Sequence, residues 1–453
     1  MSTIAAISTA EAPGGIGIVR ISGPEALEVA GRVFRAKNGT LAGCKGYTAK
    51  LGAAYSQGDE KLDDVVALVF RGPKSYTGED VVELSCHGGL YVTRCLLREV
   101  LAAGAQPAGP GEFTRRAYEN GKIDLAQAEA VMQVIGARGR QAAQAAQAVS
   151  SGALSQRIGA VGEALKDLAA HLAAWADFPE EDVPQVEEGA LQARLEENLA
   201  VLQGLLDGFE QGRVFREGVS TVICGRPNAG KSTLMNLLAG CRRSIVTQYP
   251  GTTRDIVEES VNLGGIPLLL ADTAGLRETA DPVEKIGVEA ARQRIASAGL
   301  VLAVFDSSAP LSEEDRALMA GLQGSRAIGV INKTDLPSAG VCGEIEGYFR
   351  HCVYISAAEG QGLPELGSAV AEVLGAADFD PAGGILSTER QRADAARACQ
   401  ALEEAIAALG LGLTLDAVTV CVEDALSALY ALTGRRVSEE VVDQVFEQFC
   451  VGK

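Results

Sequence analysis

The chain has 453 residues, of which 59 are acidic and 40 basic, so its formal net charge is −19. With 47% hydrophobic and 22% charged residues, the composition indicates a globular protein with several cores and excludes collagen-like, coiled-coil and disordered chains. So acidic a chain is not a general binder of polyanions, because affinity for phosphate backbones comes mainly from clustered Lys and Arg.

The first 118 residues have the pattern of an α+β domain. We expect strands at residues 16–21, 64–70 and 81–86, and one helix at residues 89–102. The chain starts without a basic segment ahead of an apolar core, and no apolar run reaches the ~18–20 residues of a membrane span. The sequence therefore predicts a cytoplasmic protein without a membrane contact.

Beyond residue 121, helical and α/β patterns alternate along the chain. Helical apolar spacing predicts helices within residues 121–150, 154–176 and 189–209, and again at 388–409, 415–432 and 438–449. Between them, runs at 220–224, 266–271, 300–305, 327–332 and 353–356 alternate with helical segments, which is typical of a doubly wound parallel sheet. We infer that an α/β domain is inserted into one helical domain.

The strongest motif lies at the start of this α/β segment. Residues 225–232 match GxxxxGK[ST], follow a predicted strand and open a predicted helix. Backbone N–H groups of such a loop wrap phosphates, Lys231 neutralises the outer phosphates, and the Ser232 hydroxyl binds Mg²⁺. The candidate nucleotide-binding residues of this loop are Asn228, Ala229, Gly230, Lys231, Ser232 and Thr233.

Three further segments follow in the order expected of a GTPase. Asp272 ends a strand and is suited to the Mg²⁺ shell, while the carboxylate of Asp335 can accept two N–H bonds from guanine that adenine does not offer. A third loop offers a backbone N–H to the guanine carbonyl. The candidate residues of the three segments are Asp272, Thr273, Ala274 and Gly275; Asn332, Lys333 and Asp335; and Ser356, Ala357 and Ala358.

A polar loop precedes Asp272, and its Thr253 is the candidate for the second Mg²⁺ hydroxyl. The loop consists of Thr247, Gln248, Tyr249, Pro250, Gly251, Thr252 and Thr253. Leu276 stands where small regulatory GTPases carry a glutamine that orients water, so another group must place the water. The residues alone do not choose among four downstream acids: Glu278, Asp281, Glu284 and Glu289.

Over essentially its whole length, the sequence closely resembles the tRNA-uridine-modifying GTPase family called MnmE or TrmE. Outside the GTPase motifs the resemblance lies in GIGIVRISG (15–23), YTGED (76–80), HGG (87–89), PGEFT (110–114), DLAQAE (124–129) and the terminal FCVGK (449–453). It implies an N-terminal domain for folate and dimerisation (1–118), a helical domain split between 119–215 and 377–453, and an inserted Ras-like P-loop GTPase domain (216–376).

The resemblance also implies site residues. In the GTPase domain, potassium is held by Asn228, Thr247 and the carbonyls of Tyr249 and Thr252, and Glu284 positions the water. In the N-terminal domain, 5-formyl- or 5,10-methylene-tetrahydrofolate contacts Arg20, Glu83, Lys122 and Lys453. The donor edge of a pterin can hydrogen-bond to a carboxylate, and the anionic glutamate tail of folate can pair with Arg and Lys. Cys450, in the terminal motif, is a possible reactive thiol.

The family is homodimeric and acts with an FAD-dependent flavoprotein, MnmG, in a heterotetramer-type complex. The resemblance implies that GTP hydrolysis drives a conformational change and that a folate carbon unit becomes part of an aminomethyl or carboxymethylaminomethyl group at C5 of a tRNA wobble uridine. Two alternatives stay open: a GTP-controlled, RNA-binding ribosome-assembly factor without one-carbon chemistry, and a folate enzyme that acts without a partner. The first would usually carry a basic RNA-binding module, which this sequence does not obviously contain.

Overall fold

A computed structural model describes residues 2–177, 187–240, 259–270 and 297–453. The chain forms two compact units, one of residues 1–132 with 426–453 and the other of residues 133–425. Each unit has its own sheet and its own buried core, so the multidomain α/β class predicted from the sequence is confirmed. No helix among the described residues has both the length and the apolar character that crossing a membrane requires.

The described strands and helices are as follows. The strands are β1 (Ile4–Ile7), β2 (Ile16–Ser22), β3 (Phe34–Ala36), β4 (Thr48–Tyr55), β5 (Lys61–Phe70), β6 (Val81–His87), β7 (Gln106–Pro107), β8 (Val219–Cys224), β9 (Glu259–Leu263), β10 (Ile266–Leu270), β11 (Leu300–Asp306), β12 (Ala327–Asn332) and β13 (Cys352–Tyr354). The helices are α1 (Ala26–Val33), α2 (Leu90–Ala102), α3 (Glu112–Glu119), α4 (Leu125–Gly136), α5 (Arg140–Ser150), α6 (Ala153–Asp177), α7 (Glu188–Glu217), α8 (Lys231–Gly240), α9 (Glu313–Gly321), α10 (Cys342–Glu346), α11 (Leu363–Val373), α12 (Glu389–Gly410), α13 (Leu415–Thr433) and α14 (Glu439–Glu447).

The first unit is built on a sheet with strand order β3-β4-β5-β6-β2-β1-β7, antiparallel except for the β1–β7 pair. Alternate residues of β2 lie on opposite faces of the sheet. Val19 and Ile21 are buried in a core that also contains residues of α1 and α2. Arg20 lies on the other face, directly opposite Glu83 of β6 in the strand register.

The prediction of one helix in the first 118 residues is wrong, because α1 and α3 are also present. Each has only eight residues, which is shorter than the window in which helical periodicity can be recognised. In α3 the apolar signal is especially weak, since its buried side chains include Thr114 and Arg116 beside Phe113 and Ala117.

The second unit contains the predicted doubly wound sheet, with strand order β13-β12-β11-β8-β10-β9. All neighbouring strands are parallel except β9, which runs antiparallel to β10. The residues that follow β8, β11, β12 and β13 therefore meet at one edge of the sheet, where parallel α/β sheets bind their ligands.

Helix α7 continues to Glu217, eight residues beyond the end predicted at residue 209. Gly212 lies beyond the predicted end and is buried inside the helix. A Cβ at this position would lie 2.6 Å from the Ile385 side chain, so the glycine serves close packing. The helix ends instead at Gly218, whose φ of 80° is unfavourable for residues with a side chain.

Candidate functional site

The phosphate loop predicted from the sequence connects β8 to α8 at the carboxyl edge of the second sheet. Gly225 and Gly230 have φ angles of 146° and 100°, which side-chain-bearing residues rarely adopt. A Cβ on Gly230 would also overlap the side-chain amide of Asn332. Ser232 and Thr233 are exposed in the first turn of α8, where hydroxyl groups and N–H groups are accessible to a ligand.

Asn332 links the phosphate loop to the loop after β13. Its side-chain Nδ2 donates to the carbonyl of Ala229 at 2.9 Å, and its Oδ1 accepts from the N–H of Ala357 at 3.0 Å. The side chain is 2% exposed, so both hydrogen bonds are shielded from water. One buried amide therefore holds together two segments of the predicted nucleotide site.

The other predicted guanine-site residues lie on the loops that follow β12 and β13. Ser356 donates from Oγ to Asp335 Oδ1 at 2.6 Å, which orients the exposed carboxylate. Lys333 has a φ of 65° and its ammonium contacts Asp306 at 2.6 Å. The structure thus brings together Asn332, Lys333, Asp335, Ser356 and Ala357 at the ends of β12 and β13.

Asp306 is a residue that the sequence analysis missed. Burial raises its pKa, but hydrogen bonds from Lys333 and Ser308 outweigh that effect and hold the pKa below its ordinary value. Its carboxylate is therefore ionised near neutral pH and anchors Lys333. The available signal was an aspartate at the end of an otherwise apolar strand, the same signal that identified Asp272.

The Lys231 ammonium lies over its own loop, donating to the carbonyls of Gly225 and Arg226 at 2.8 Å each. Asn228, the predicted potassium ligand of this loop, is exposed and has a φ of 63°. The predicted residues at 247–253 and 272–275, together with Glu284, lie outside the described residues.

A second polar site lies on the first sheet. Arg20 Nε donates to Glu83 Oε1 at 2.9 Å, and both side chains are 19% exposed. The rings of Phe113 and Tyr76 lie 5.5 and 5.9 Å from the Arg20 guanidinium carbon. The arrangement combines a cation, a carboxylate and aromatic walls, which are suited to a polar planar ligand.

The end of the chain is bound beside Arg20. Phe113 N–H donates to the carbonyl of Lys453 at 3.1 Å, and Ser8 Oγ donates to that of Gly452 at 3.1 Å. Arg20 reaches the same Gly452 carbonyl at 3.5 Å. A Cβ on Gly452, whose φ is 94°, would overlap the backbone of Ile7, so only glycine fits this close approach.

Two other predicted residues are also in the first unit. The ammonium of Lys122 donates to the carbonyl of Pro73 at 2.9 Å, which connects it to the loop that carries Tyr76. Among the described residues, no hydrogen bond or ion pair joins Lys122 to Arg20 or Glu83. Cys450 is exposed, while its carbonyl accepts from Gly111 at 3.3 Å.

A buried ionic network supports this second site, and the sequence analysis did not find it. Arg116 is 5% exposed and pairs with Glu79 at 3.2 Å and Glu112 at 2.8 Å. Glu79 also accepts from Ser22 at 2.7 Å, and the Tyr76 hydroxyl hydrogen-bonds to Thr114 at 2.9 Å. The only signal was that Glu79 and Glu112 belong to the YTGED and PGEFT motifs.

Two family models match the chain, one described as the MnmE helical domain over residues 125–450 and one as the GTP-binding protein TrmE N-terminus over residues 3–122. The tRNA modification GTPase MnmE of Symbiobacterium thermophilum is 46% identical, and that of Geobacter sulfurreducens is 44% identical; each alignment covers 100% of this chain and 99% of the relative. Among solved structures, the G domain of the T. maritima FeoB iron transporter is 26% identical, covers 34% of this chain and 98% of that chain, and has a TM-score of 0.24.

Proposed function

The chain belongs to the MnmE family of tRNA modification GTPases, and on that premise we propose that it couples GTP hydrolysis to one-carbon chemistry at C5 of the wobble uridine of tRNA. The observation that carries this proposal is the presence of two separately built polar sites. One is the phosphate and guanine loops of the second unit, and the other is the Arg20–Glu83 site of the first.

In the proposed reaction, water attacks the γ-phosphate of GTP in line with the leaving group. Lys231 stabilises the charge of the phosphates, Glu284 positions the water, and Asp335 binds guanine. Ser232 and Thr253 would hold Mg²⁺, and Asn228, Thr247 and the carbonyls of Tyr249 and Thr252 would hold K⁺; these cations neutralise phosphate charge when bound. The exposed hydroxyl-bearing residues at the start of α8 support the Mg²⁺ assignment.

In the first unit, Arg20, Glu83, Lys122 and Lys453 would bind 5-formyl- or 5,10-methylene-tetrahydrofolate. Glu83 would accept hydrogen bonds from the pterin, while the cationic groups would attract the glutamate tail. The 2.9 Å pair of Arg20 and Glu83, the neighbouring rings and the bound chain end support a ligand in this place. Cys450 is the candidate for a reactive thiol.

We further propose that the protein acts as a homodimer with the FAD-dependent flavoprotein MnmG in a heterotetramer-type complex. The sequence lacks a flavin-binding fingerprint, so the redox steps would take place on that partner. Hydrolysis would drive a conformational change of the GTPase domain. The domain boundaries 1–118, 119–215, 216–376 and 377–453 are part of this proposal.

Folate affinity distinguishes this function from that of an RNA-binding assembly factor. We expect Arg20→Ala to weaken the binding of 5-formyltetrahydrofolate on the order of 10- to 100-fold, because a charge-assisted hydrogen bond is removed. GTP turnover should not change, since Arg20 lies outside the nucleotide loops. Calorimetric titration of both proteins with the folate measures the effect.

The matched control is Arg32→Ala, which removes the same charge from an exposed pair with Glu28 on α1. It should bind folate like the wild type. A wild-type chain without folate affinity, or equal losses in the two variants, would contradict the folate assignment and favour the assembly-factor alternative.

A further inference from the structure

Strands β9 and β10 of the second unit form a hairpin with a very short turn. The two residues of the turn, Gly264 and Gly265, have φ angles of 59° and 89°. A two-residue turn of this kind joins its strands without slack, so the hairpin is a stiff element. In the sequence, β9 follows the segment of Thr253, and β10 leads directly to Asp272. The hairpin is therefore covalently continuous with two segments that the proposed function places in the nucleotide site.

The start of α5 packs against this turn. Gln141 Nε2 donates to the carbonyl of Gly264 at 3.2 Å. A Cβ on Gly265 would overlap the side-chain amide of Gln141. A Cβ on Gly139, the residue before α5, would lie 2.9 Å from the carbonyl oxygen of Gly265. Since non-bonded carbon atoms normally lie about 3.5–4.0 Å from their neighbours, the contact leaves no room for side chains at either glycine.

The same turn also contacts α11. A Cβ on Gly264 would lie 3.2 Å from the Cα atom and the carbonyl oxygen of Gly367, in the first half of that helix. Helix α11 follows β13 and the loop that carries Ser356 and Ala357 of the predicted guanine site. The turn is thus in close contact with two helices. One of them is continuous with the guanine loop, and the other, α5, belongs to the helical segment 119–215 of the proposed domain boundaries.

The side-chain amide of Gln141 is only partly satisfied in this contact. Its Oε1 is buried and has no hydrogen-bond partner among the described residues, which costs free energy. A donor is available in the same place, because a Cβ on Gly139 would lie 2.8 Å from Nδ2 of Asn262 in β9. A displacement of the turn that brings this donor to Oε1 would add a hydrogen bond. The contact therefore has a second favourable arrangement, as an element that transmits a change of state requires.

We propose that Gln141 is a positioning residue of the GTPase site. Through the β9–β10 turn, it couples the helical segment that contains α5 to the segments of Thr253 and Asp272. Coupling between two sites is reciprocal, so a change of nucleotide would in turn change how the turn contacts α5. This inference rests on the proposed function, because that function assigns the two segments to the nucleotide site. It adds the contact through which the helical segment acts on them.

The first measurement is steady-state GTP turnover of the full chain in potassium buffer. For Gln141→Ala we expect kcat to fall roughly 3- to 10-fold, because one neutral hydrogen bond is lost, while KM for GTP stays within about twofold. The rate is referred to the number of sites that bind a fluorescent GTP analogue, so that inactive protein does not lower it. The control Gln147→Ala removes the same side chain from an exposed position of α5, where its amide bonds to Ser151 of the same helix segment, and should behave like the wild type.

A pair of glycine variants tests whether the contact itself carries the effect. Gly265→Ala should lower kcat, because the new methyl group overlaps the Gln141 amide. Gly324→Ala is its control, since Gly324 has a similar φ of 81° and a Cβ there would meet nothing within 4 Å. In Gly265→Ala/Gln141→Ala the overlapping amide is absent, so the double variant should be no slower than Gly265→Ala alone. Losses that multiply in the double variant would overturn the inference, because the two residues would then act independently.

Hydrogen exchange detects the coupling in the other direction. In the wild type, protection of the amides of α5 should differ at least about twofold between GDP and a non-hydrolysable GTP analogue, and Gln141→Ala should abolish this difference. Equal protection with both nucleotides in the wild type would overturn the inference. If the wild type turns over GTP and Gln141→Ala changes neither kcat nor the exchange, the inference is wrong and the proposed function stands. A wild-type chain without GTP turnover would contradict both.

Discussion

Replacing Gly230 with alanine should abolish GTP turnover, with a loss on the order of 100-fold or more. The new methyl group would overlap the amide of Asn332, and the φ of 100° at this position disfavours any side chain. Since Asn332 holds both the Ala229 carbonyl and the Ala357 N–H, its displacement would disturb the phosphate loop and the guanine loop together. Misplacing donors of a preorganised site costs 10²–10³-fold in rate for a single group.

Gly240→Ala is the matched control for this prediction. It introduces the same methyl group at the other end of α8, where a Cβ would meet nothing within 4 Å. We expect normal turnover in this variant. Binding of a fluorescent GTP analogue and steady-state turnover of both variants measure the effect, and a Gly230→Ala protein with near wild-type values would show that the close approach to Asn332 is not required.

The second large effect is expected for Arg116→Ala, which should destabilise the first unit by about 3–5 kcal/mol. The side chain is 6% exposed, and its removal leaves the carboxylates of Glu79 and Glu112 without their cation. It also removes the hydrogen bond to the Ser2 carbonyl at 2.7 Å. Loss of this network should loosen the Tyr76 loop and α3, and with them the walls of the Arg20 site.

Hydrogen exchange measures this loss within one unit, which a melting curve of a multidomain chain does not. Amides of β2 and α3 should lose roughly 10²- to 10⁴-fold in protection if opening is governed by this stability. Arg115→Ala is the control on the same helix, because the Arg115 side chain is 30% exposed and its pairs with Glu119 and Asp443 contribute only about 1 kcal/mol or less. Equal loss of protection in both variants would refute the role given to the buried network.

The sequence predicted best those features that depend on residues close together in the chain. The phosphate loop is one unbroken stretch of sequence, and so is the guanine motif. The order of residues within each stretch was therefore enough to identify it. The end of α7 was predicted too early, at residue 209, and the next turn of the helix packs at Gly212 against Ile385, which lies far away in the chain. The eight-residue helices α1 and α3 were missed because they are too short to show a period.

The Arg20 site illustrates a different limit. Arg20 and Glu83 meet through the register of β2 and β6, and the Gly452 carbonyl reaches Arg20 from the other end of the chain. No local sequence pattern predicts that these residues lie close together. They were assigned to one site only because the sequence resembles a known family. Arg116, which carries the supporting network, reads in the sequence as an ordinary helical surface charge.

The most direct test of the proposed function is GTP turnover of the purified chain in potassium and in sodium buffer of equal ionic strength, with Glu284→Ala measured alongside. We expect strong stimulation by potassium that is lost in the variant, because in the proposed mechanism the cation would neutralise phosphate charge and Glu284 would position the water. Equal rates in the two salts would contradict the potassium-assisted mechanism and favour a GTP-controlled RNA-binding factor.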